Sequence, residues 1–377
     1  MEKPKQKKKK KKKVSYSYQI PSELLLDIVS RVPAKSIFRF RCLSKFWSST
    51  LGLPYFTELF LTRSLARPRL LFTIEVGKEL FFFSSPQPHN PVDNSTLVAT
   101  RNRMNFKYLP SRVSPPLSGA VFLHREGINE PVICNPVTGE SLTITLPRGK
   151  DNGTKTSFFG YDPINKQFKV LCIRSRYSGR PRTHRVLTLG NGKPVWRPTM
   201  KCEPHGAGYG EICINGVLYY RACSIASPRM LACFDFSSEK FSFVTLLKKM
   251  VRGTLINYKG NLGVLVRHGC EVVLWVLEED AGKPKWSKRI TILLSLHDEI
   301  GIHFNIVGMT GAGEIVFRPD HRPDPFFLVY YNIERNTFAR VYIHIPGSEE
   351  FHHRSVFINT SLDYVENMKL LYQPLAS

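Results

Sequence analysis

Two periods of apolar residues divide the chain. From Ile20 to about residue 60 they recur every three or four positions, and after about Leu70 they alternate, which predicts a small helical unit followed by a long β region. In "IPSELLLDIVSRVPAKSIFRFRCLSKFW" (Ile20–Trp47), Pro21 and Ser22 open a first helix, since Ser can cap free N–H groups. Leu24, Leu25, Ile28, Val29 and Val32 follow at helical spacing until Pro33 stops it. A second helix carries Ile37, Phe40 and Leu43, with Arg39 and Arg41 projecting elsewhere, and Ser44 caps a third that carries Trp47 and Leu51. Three helices in so short a stretch lie at the lower limit for independent folding. Their apolar faces exceed what they can cover among themselves, so something else must cover them.

Beyond Leu70, "AVFLH", "FKVLCI", "GVLYYRA", "MLACFDF", "NLGVLV", "VVLWVL", "EIVFR" and "FFLVYYNI" predict strands, separated by Gly, Pro, Asn and Asp. "LLSLHDEIG" is the nearest approach to a helix there. Two patterns recur. "INGVLYY", "YKGNLGVLV" and "GAGEIVF" set a turn before an apolar strand, with glycines at 216, 260 and 313. "FGYDPINKQFKVL", "ACFDFSSEKFSFV" and "VYYNIERNTFARV" place Asp162, Asp235 and Asn332 before a turn, and Phe168, Phe241 and Phe338 each follow six positions later. "ICNPVTGESLTITLP" is a looser relative. A repeat near 45 to 50 residues suits four-stranded propeller blades. With neither a WD dipeptide nor paired kelch glycines, an irregular propeller-like domain is preferred to a β-sandwich.

Composition supports a packed protein: 377 residues are 42% hydrophobic and 12% aromatic. The net charge of +24 signals attraction to something acidic, but nine lysines against Glu2 in residues 1–13 supply +8 of it. That lysine run predicts a disordered tail, suited to nuclear import or simply solvated with no function of its own. It lacks the aromatics and arginines that read bases, so nucleic-acid binding is an alternative function rather than the first. No apolar run reaches 18 residues and no secretory leader follows the lysines, which predicts an intracellular protein of the nucleus or cytoplasm with no membrane partner. The sequons at Asn94, Asn152 and Asn359 are then chance matches. Eight cysteines (Cys42, Cys134, Cys172, Cys202, Cys213, Cys223, Cys233 and Cys270) contain no CxxC pair and are read as small buried hydrophobes of strands rather than zinc ligands.

The opening stretch resembles the F-box. Its pattern of a hydrophobic residue and Pro, an amphipathic helix, Leu-Pro, a second helix and a Val-x-Lys-x-Trp-like ending reads here as Ile20-Pro21, Leu24 to Val29, Val32-Pro33, Ile37 to Cys42, and Leu43-Ser44-Lys45-Phe46-Trp47. "NPVTGE", "FGYDPINKQFKV", "INGVLYY" and "FDFSSEKF" are similar to the C-terminal F-box-associated domain of the large plant F-box family. The two resemblances cover residues 20 to about 60 and roughly 100 to 340. They imply an α+β multidomain fold: a basic tail over 1–17, a three-helix F-box over 18–64, a linker and entry over 65–100, and a mainly-β, irregular propeller-like (kelch-like) domain over 101–377. They also imply a non-catalytic substrate adaptor of an SCF-type cullin–RING ubiquitin ligase. The F-box would dock on a Skp-type linker, and through it on cullin and RING subunits, by Ile20, Pro21, Leu24, Leu25, Ile28, Val32, Pro33, Ile37, Leu43 and Trp47. The β domain would bind an unknown protein substrate. Departures are conservative: Val32 and Ile37 stand for Leu, Leu43 for Val, and Phe46 for a small or polar residue.

No catalytic or cofactor motif is complete, and no cofactor is expected. His297 and His303 are six apart, not the four of HExxH, and "HGAGYGE" precedes a strand rather than a helix and has no phosphate-binding Lys. There is no GxSxG elbow, and His352-His353 have no spaced metal-ligating partners. "IRSRYSGRPRTHR" sets Arg174, Arg176, Arg180, Arg182 and Arg185 on a loop whose guanidinium forks suit an acidic or phosphorylated substrate, with a solvated loop as the plain alternative.

Overall fold

The computed structural model describes residues 20–124, 130–147, 155–174, 183–190, 195–200, 202–224, 229–269, 271–280, 283–293, 304–320, 325–347 and 356–369. Four helices precede the sheets: α1 (Ser22–Ser30), α2 (Ala34–Arg41), α3 (Lys45–Thr50) and α4 (Pro54–Leu65). The first three are those read from the pattern, and α4 continues the unit. Prolines rather than serine side chains start α1 and α2: Pro21 and Pro33 hold the cap positions without a side-chain bond, and Ser22 is already helical. Ser44 does cap α3, its Oγ accepting from the Trp47 N–H at 3.3 Å. Asp27 ties α1 to α4 by accepting from Arg31 at 2.8 Å and Arg63 at 2.7 Å.

Among the described residues six sheets follow, each built on four strands in antiparallel order, one of them with a fifth strand added. Blade 1 orders Val356–Tyr364, Arg69–Val76, Glu79–Pro86 and Thr100–Phe106 from the centre outward. Blade 2 holds Arg112–Val113, Val121–His124, Val132–Asn135 and Glu140–Thr143. Blade 3 holds Lys155–Asp162, Gln167–Arg174, Thr183–Leu189 and Trp196–Pro198. Blade 4 holds Gly206–Ile214, Val217–Cys223, Met230–Asp235 and Lys240–Thr245. Blade 5 holds Thr254–Tyr258, Asn261–His268, Glu271–Asp280 and Lys283–Leu293. Blade 6 holds Phe304–Met309, Glu314–Pro319, Phe327–Asn332 and Thr337–His344, with Ser95–Val98 added in parallel outside. The result is a six-bladed propeller. Its last strand pairs with its first, Ile358 opposite Ile74, so the ring is closed through backbone hydrogen bonds of its two ends.

Two expectations change here. Residues 65–100 are not a linker, because Arg69–Val76 and Glu79–Pro86 form the middle of blade 1 and Ser95–Val98 belongs to blade 6. The propeller therefore begins at Arg69 rather than at residue 101, and the four-stranded blades that the repeat suggested form a regular ring of six.

The recurrent turns explain how so degenerate a repeat holds its register. Asp162, Asp235, Asn332 and Asn135 each accept, through Oδ1, the backbone N–H groups two and three residues on, at 2.7 to 3.4 Å. The fourth residue after each (Lys166, Glu239, Asn336 and Gly139) has positive φ, between 51° and 82°. The pairs Asp162–Gln167, Asp235–Lys240, Asn332–Thr337 and Asn135–Glu140 then close identical hairpins. Asn215-Gly216 and Lys259-Gly260, all at positive φ, make two-residue hairpin turns at blades 4 and 5. Between blades 3 and 4 the packing is close: a Cβ on Gly160 would lie 1.7 Å from the Phe236 ring.

The helical unit shares a core with blades 1 and 2. Val29, Ala34, Ile37, Leu51, Phe56 and Phe60 pack with Leu71, Leu80, Phe82, Val121, Leu123, Val132 and Tyr364. Glu366 accepts from the Ala34 N–H at 3.2 Å, and Lys369 pairs with Glu58. Because Lys166 also acts on the Glu58 carboxyl, the helices sit on the side of the ring where the inner strands end and the Asp162 hairpin turns. A belt of bonds ties neighbouring turns on that side: Ser237 Oγ to Asp162 at 2.8 Å, Gly311 N–H to Asp363 at 3.0 Å, and Asn367 Nδ2 to the Ser118 carbonyl at 2.7 Å.

Candidate functional site

The helical unit buries apolar side chains in the shared core just described. Outside that core, Ile20, Leu24, Ile28 and Leu43 are 56%, 57%, 53% and 70% exposed. Leu24 and Ile28 lie four apart on α1 and so share one side of it, with Leu25 half-buried beside them. Pro21 and Pro33 are also exposed. Phe46, Leu53, Tyr55 and Leu65, which were not picked out from the sequence as docking residues, are exposed large hydrophobics as well. That is a high share of exposed large apolar side chains for one small unit.

Three residues grouped with these by the sequence are more covered than Leu24 and Ile28. Ile37 is 0% exposed and lies inside the shared core, so it supports α2 from within. Val32 is half-buried against the same core. Trp47 is half-buried, stacked on Phe40 at 5.9 Å with Phe46 against its edge at 5.7 Å. An amphipathic helix carries no label for which of two partners takes its stripe. That is why the pattern could not separate Ile37 from Ile28.

The arginine group is only partly described. Arg176, Arg180 and Arg182 lie outside the described residues, as do the lysine tail, His297, His303, His352, His353, Asn152 and Cys270. Arg174 ends the second strand of blade 3, opposite Thr183, and Arg185 lies on the third strand opposite Cys172. That register puts Arg174 and Arg185 diagonally on one face of the sheet. Both stand at the strand ends remote from the Asp162 hairpin, on the side of the ring away from the helices.

The ring encloses a central cavity of about 360 Å³, lined by inner-strand residues of all six blades, among them Phe159, Glu211, Asn257, Gly308 and Thr360. At its wall lies a polar cluster that the sequence did not signal. Arg112 donates to Glu211 at 2.8 Å and to His124 Nε2 at 2.8 Å, and Ser114 Oγ lies 2.7 Å from Glu211 and 2.9 Å from His124 Nε2. Burial, helped by the Arg112 charge, pushes His124 down to about 2, so the imidazole is neutral. Serine, histidine and carboxylate meet here in the wrong order for a nucleophile: the carboxylate accepts from serine instead of orienting histidine, and arginine already donates to the histidine lone pair. The cluster joins blades 2 and 4 across blade 3.

The cysteine reading holds for Cys134, Cys172 and Cys233, which are buried, and fails for Cys42 and Cys223, which are exposed. Burial pushes the Cys172 thiol up to about 12 and Cys233 to about 11, as expected of packed, unreactive thiols. Cys202 is half-buried and sits outside the strands, between blades 3 and 4.

Comparison with known proteins bears on both parts of the chain. A family model described as "F-box domain" matches residues 18–59, and one described as "F-box associated beta propeller domain" matches residues 69–365. The second match makes most of the chain propeller, more than the C-terminal portion expected. "F-box protein DOR" of Arabidopsis thaliana is 43% identical over 371 residues, covering 93% of this chain and 94% of that one. "F-box protein At5g65850" of the same plant is 43% identical over 373 residues, covering 94% and 91%. Among solved structures, TolB from Acinetobacter baumannii aligns with TM-score 0.42 and 11% identity over 78% of this chain and 66% of that one.

Proposed function

Because the chain belongs to the F-box family and carries an F-box associated propeller behind its F-box, we propose that it is a non-catalytic intracellular substrate adaptor of an SCF-type cullin–RING ubiquitin ligase. F-box proteins are generally adaptors of that kind. The observation that carries the reading is the exposure of Ile20, Leu24, Ile28 and Leu43 on a unit whose core side is already packed. A Skp-type linker laid on that face would remove each large side chain from water, contributing about 1.5–3 kcal/mol apiece before the costs of association. Pro21 and Pro33 stiffen the approach to α1 and α2. The linker in turn would bring cullin and RING subunits.

Substrate is proposed to bind on the side of the propeller away from the helices, where Arg174 and Arg185 end blade 3. A linker on one side and a substrate on the other do not compete for surface. Acidic or phosphorylated segments suit paired guanidinium groups. Co-expression with a Skp-type linker tests the adaptor reading: the two chains are expected to co-purify through size exclusion as a stoichiometric complex. A propeller that elutes folded and alone, with the linker in excess, would refute it.

A further inference from the structure

We propose that His184, Cys202 and His205 form a binding site for a divalent transition ion, zinc by preference, at the seam between blades 3 and 4. One ring nitrogen of each histidine and the Cys202 sulfur lie within 4.8 Å of one another. His184 comes from the third strand of blade 3, and the other two from the connection that leads into blade 4. His205 is fully buried and His184 nearly so, while Cys202 faces partly outward. The Cys202 sulfur is 3.5 Å from His184 Nδ1, close to the ligand separations around a tetrahedral zinc.

Three features go beyond an ordinary core pair. Cys202-Glu203-Pro204-His205 is a close C-x-x-H pair on a short non-strand segment, the way structural zinc sites present two ligands at once. The two imidazoles stack at 4.8 Å with 20° between their planes, which holds His184 beside His205 although they come from different blades. Both His205 nitrogens have partners, Nδ1 donating to the Glu203 carbonyl at 2.8 Å and Nε2 meeting the Tyr220 hydroxyl at 2.5 Å; an ion would displace one of them and leave the other to orient the ring. Two imidazoles and a thiolate suit zinc or cobalt and not magnesium or calcium. The ion would pin the blade 3 to blade 4 connection to the side of the propeller away from the F-box.

Full-length, untagged chain titrated with Co²⁺ and then with Zn²⁺ tests this independently of the adaptor reading. The site predicts one Co²⁺ per chain with thiolate-to-cobalt charge-transfer absorption, displaced by Zn²⁺. Cys202→Ser and His184→Ala should abolish that absorption and weaken Zn²⁺ binding at least tenfold. Cys202→Ser replaces one atom at a half-buried position, so it folds, as near-ultraviolet circular dichroism will verify. Cys223→Ser is the control, since Cys223 lies opposite Gly206 in the strand register and is the nearest other thiol along the pairing. It should leave the absorption unchanged. Absence of charge-transfer absorption in the wild type, its survival in Cys202→Ser, or its loss in Cys223→Ser alone would overturn the assignment.

Discussion

Replacing both Leu24 and Ile28 by aspartate should weaken binding to a Skp-type linker by about 10²- to 10⁴-fold and leave the fold intact. The magnitude follows from two anchors each losing about 1.5–3 kcal/mol of burial, converted at about 1.4 kcal/mol per tenfold. A desolvated carboxylate facing apolar partner atoms adds to that loss. Stability should barely move, because both side chains are more than half exposed and neither belongs to the core shared with blades 1 and 2. Surface changes of this kind stay within about 0.5 kcal/mol each. Isothermal titration against the linker, with urea unfolding of the same preparations, reads both quantities. Ile37 could not serve: aspartate there would place a charge in the centre of the shared core, and lost binding would report only unfolding.

The second large effect belongs to the seam of blades 3 and 4. Lys169, with its side chain 5% exposed, donates to the Phe236 carbonyl at 2.6 Å and pairs with Asp162 at 3.0 Å and Glu239 at 2.9 Å. Arg197 closes the network on Glu239. Lys169→Met keeps the bulk and removes the charge, leaving Asp162 buried beside Glu239 with no ammonium between them. Breaking a buried pair from one side costs about 3–5 kcal/mol. Asp162→Asn added to Lys169→Met should recover a large part of it, since an asparagine Oδ1 can still accept from the Ile164 and Asn165 N–H groups of the turn.

The same network sets an acid limit. Burial alone would raise Asp162, but hydrogen bonds from the Asn165 side chain and backbone, Lys169 and Ser237 outweigh it and hold the carboxyl well below the usual carboxylate range. Its folded-state value is thus below its unfolded one. The stabilisation is full above the ordinary aspartate value of 3.8 and is lost as pH falls through the lower, folded value. Urea midpoints should fall on acidification below about pH 4, and Lys169→Met, which raises the folded-state value of Asp162 toward its unfolded one, should show a smaller further loss over the same acid range than the wild type.

Much of this architecture was legible because it is local. The shared offset of Asp162, Asp235 and Asn332 to their phenylalanines is the trace of one hairpin: a side chain that caps its own turn and a positive-φ residue four places later. The change of period near Leu70 marks the passage from helices to blades. What failed to show is non-local. Nothing near Val356–Tyr364 announces that it will pair with Arg69–Val76 and close the ring, and nothing near Ser95–Val98 announces a parallel strand on blade 6. The division of the F-box into inward and outward faces was equally hidden. Ile37 and Ile28 are the same residue type at equivalent helical spacing, and only the position of the propeller decides which is covered. The Arg112–Glu211–His124 cluster draws on three strands from two blades, so no window of sequence contains it.

The most direct measurement is hydroxyl-radical footprinting of side chains in the full chain, alone and with a saturating Skp-type linker. Oxidation at Leu24, Ile28, Leu43 and Phe46 should be high in the free chain and fall several-fold in the complex, while Val195 and Phe357, exposed on the propeller, keep their rates. Unchanged oxidation at Leu24 and Ile28 in a formed complex, or protection that appears on the propeller instead, would contradict the account.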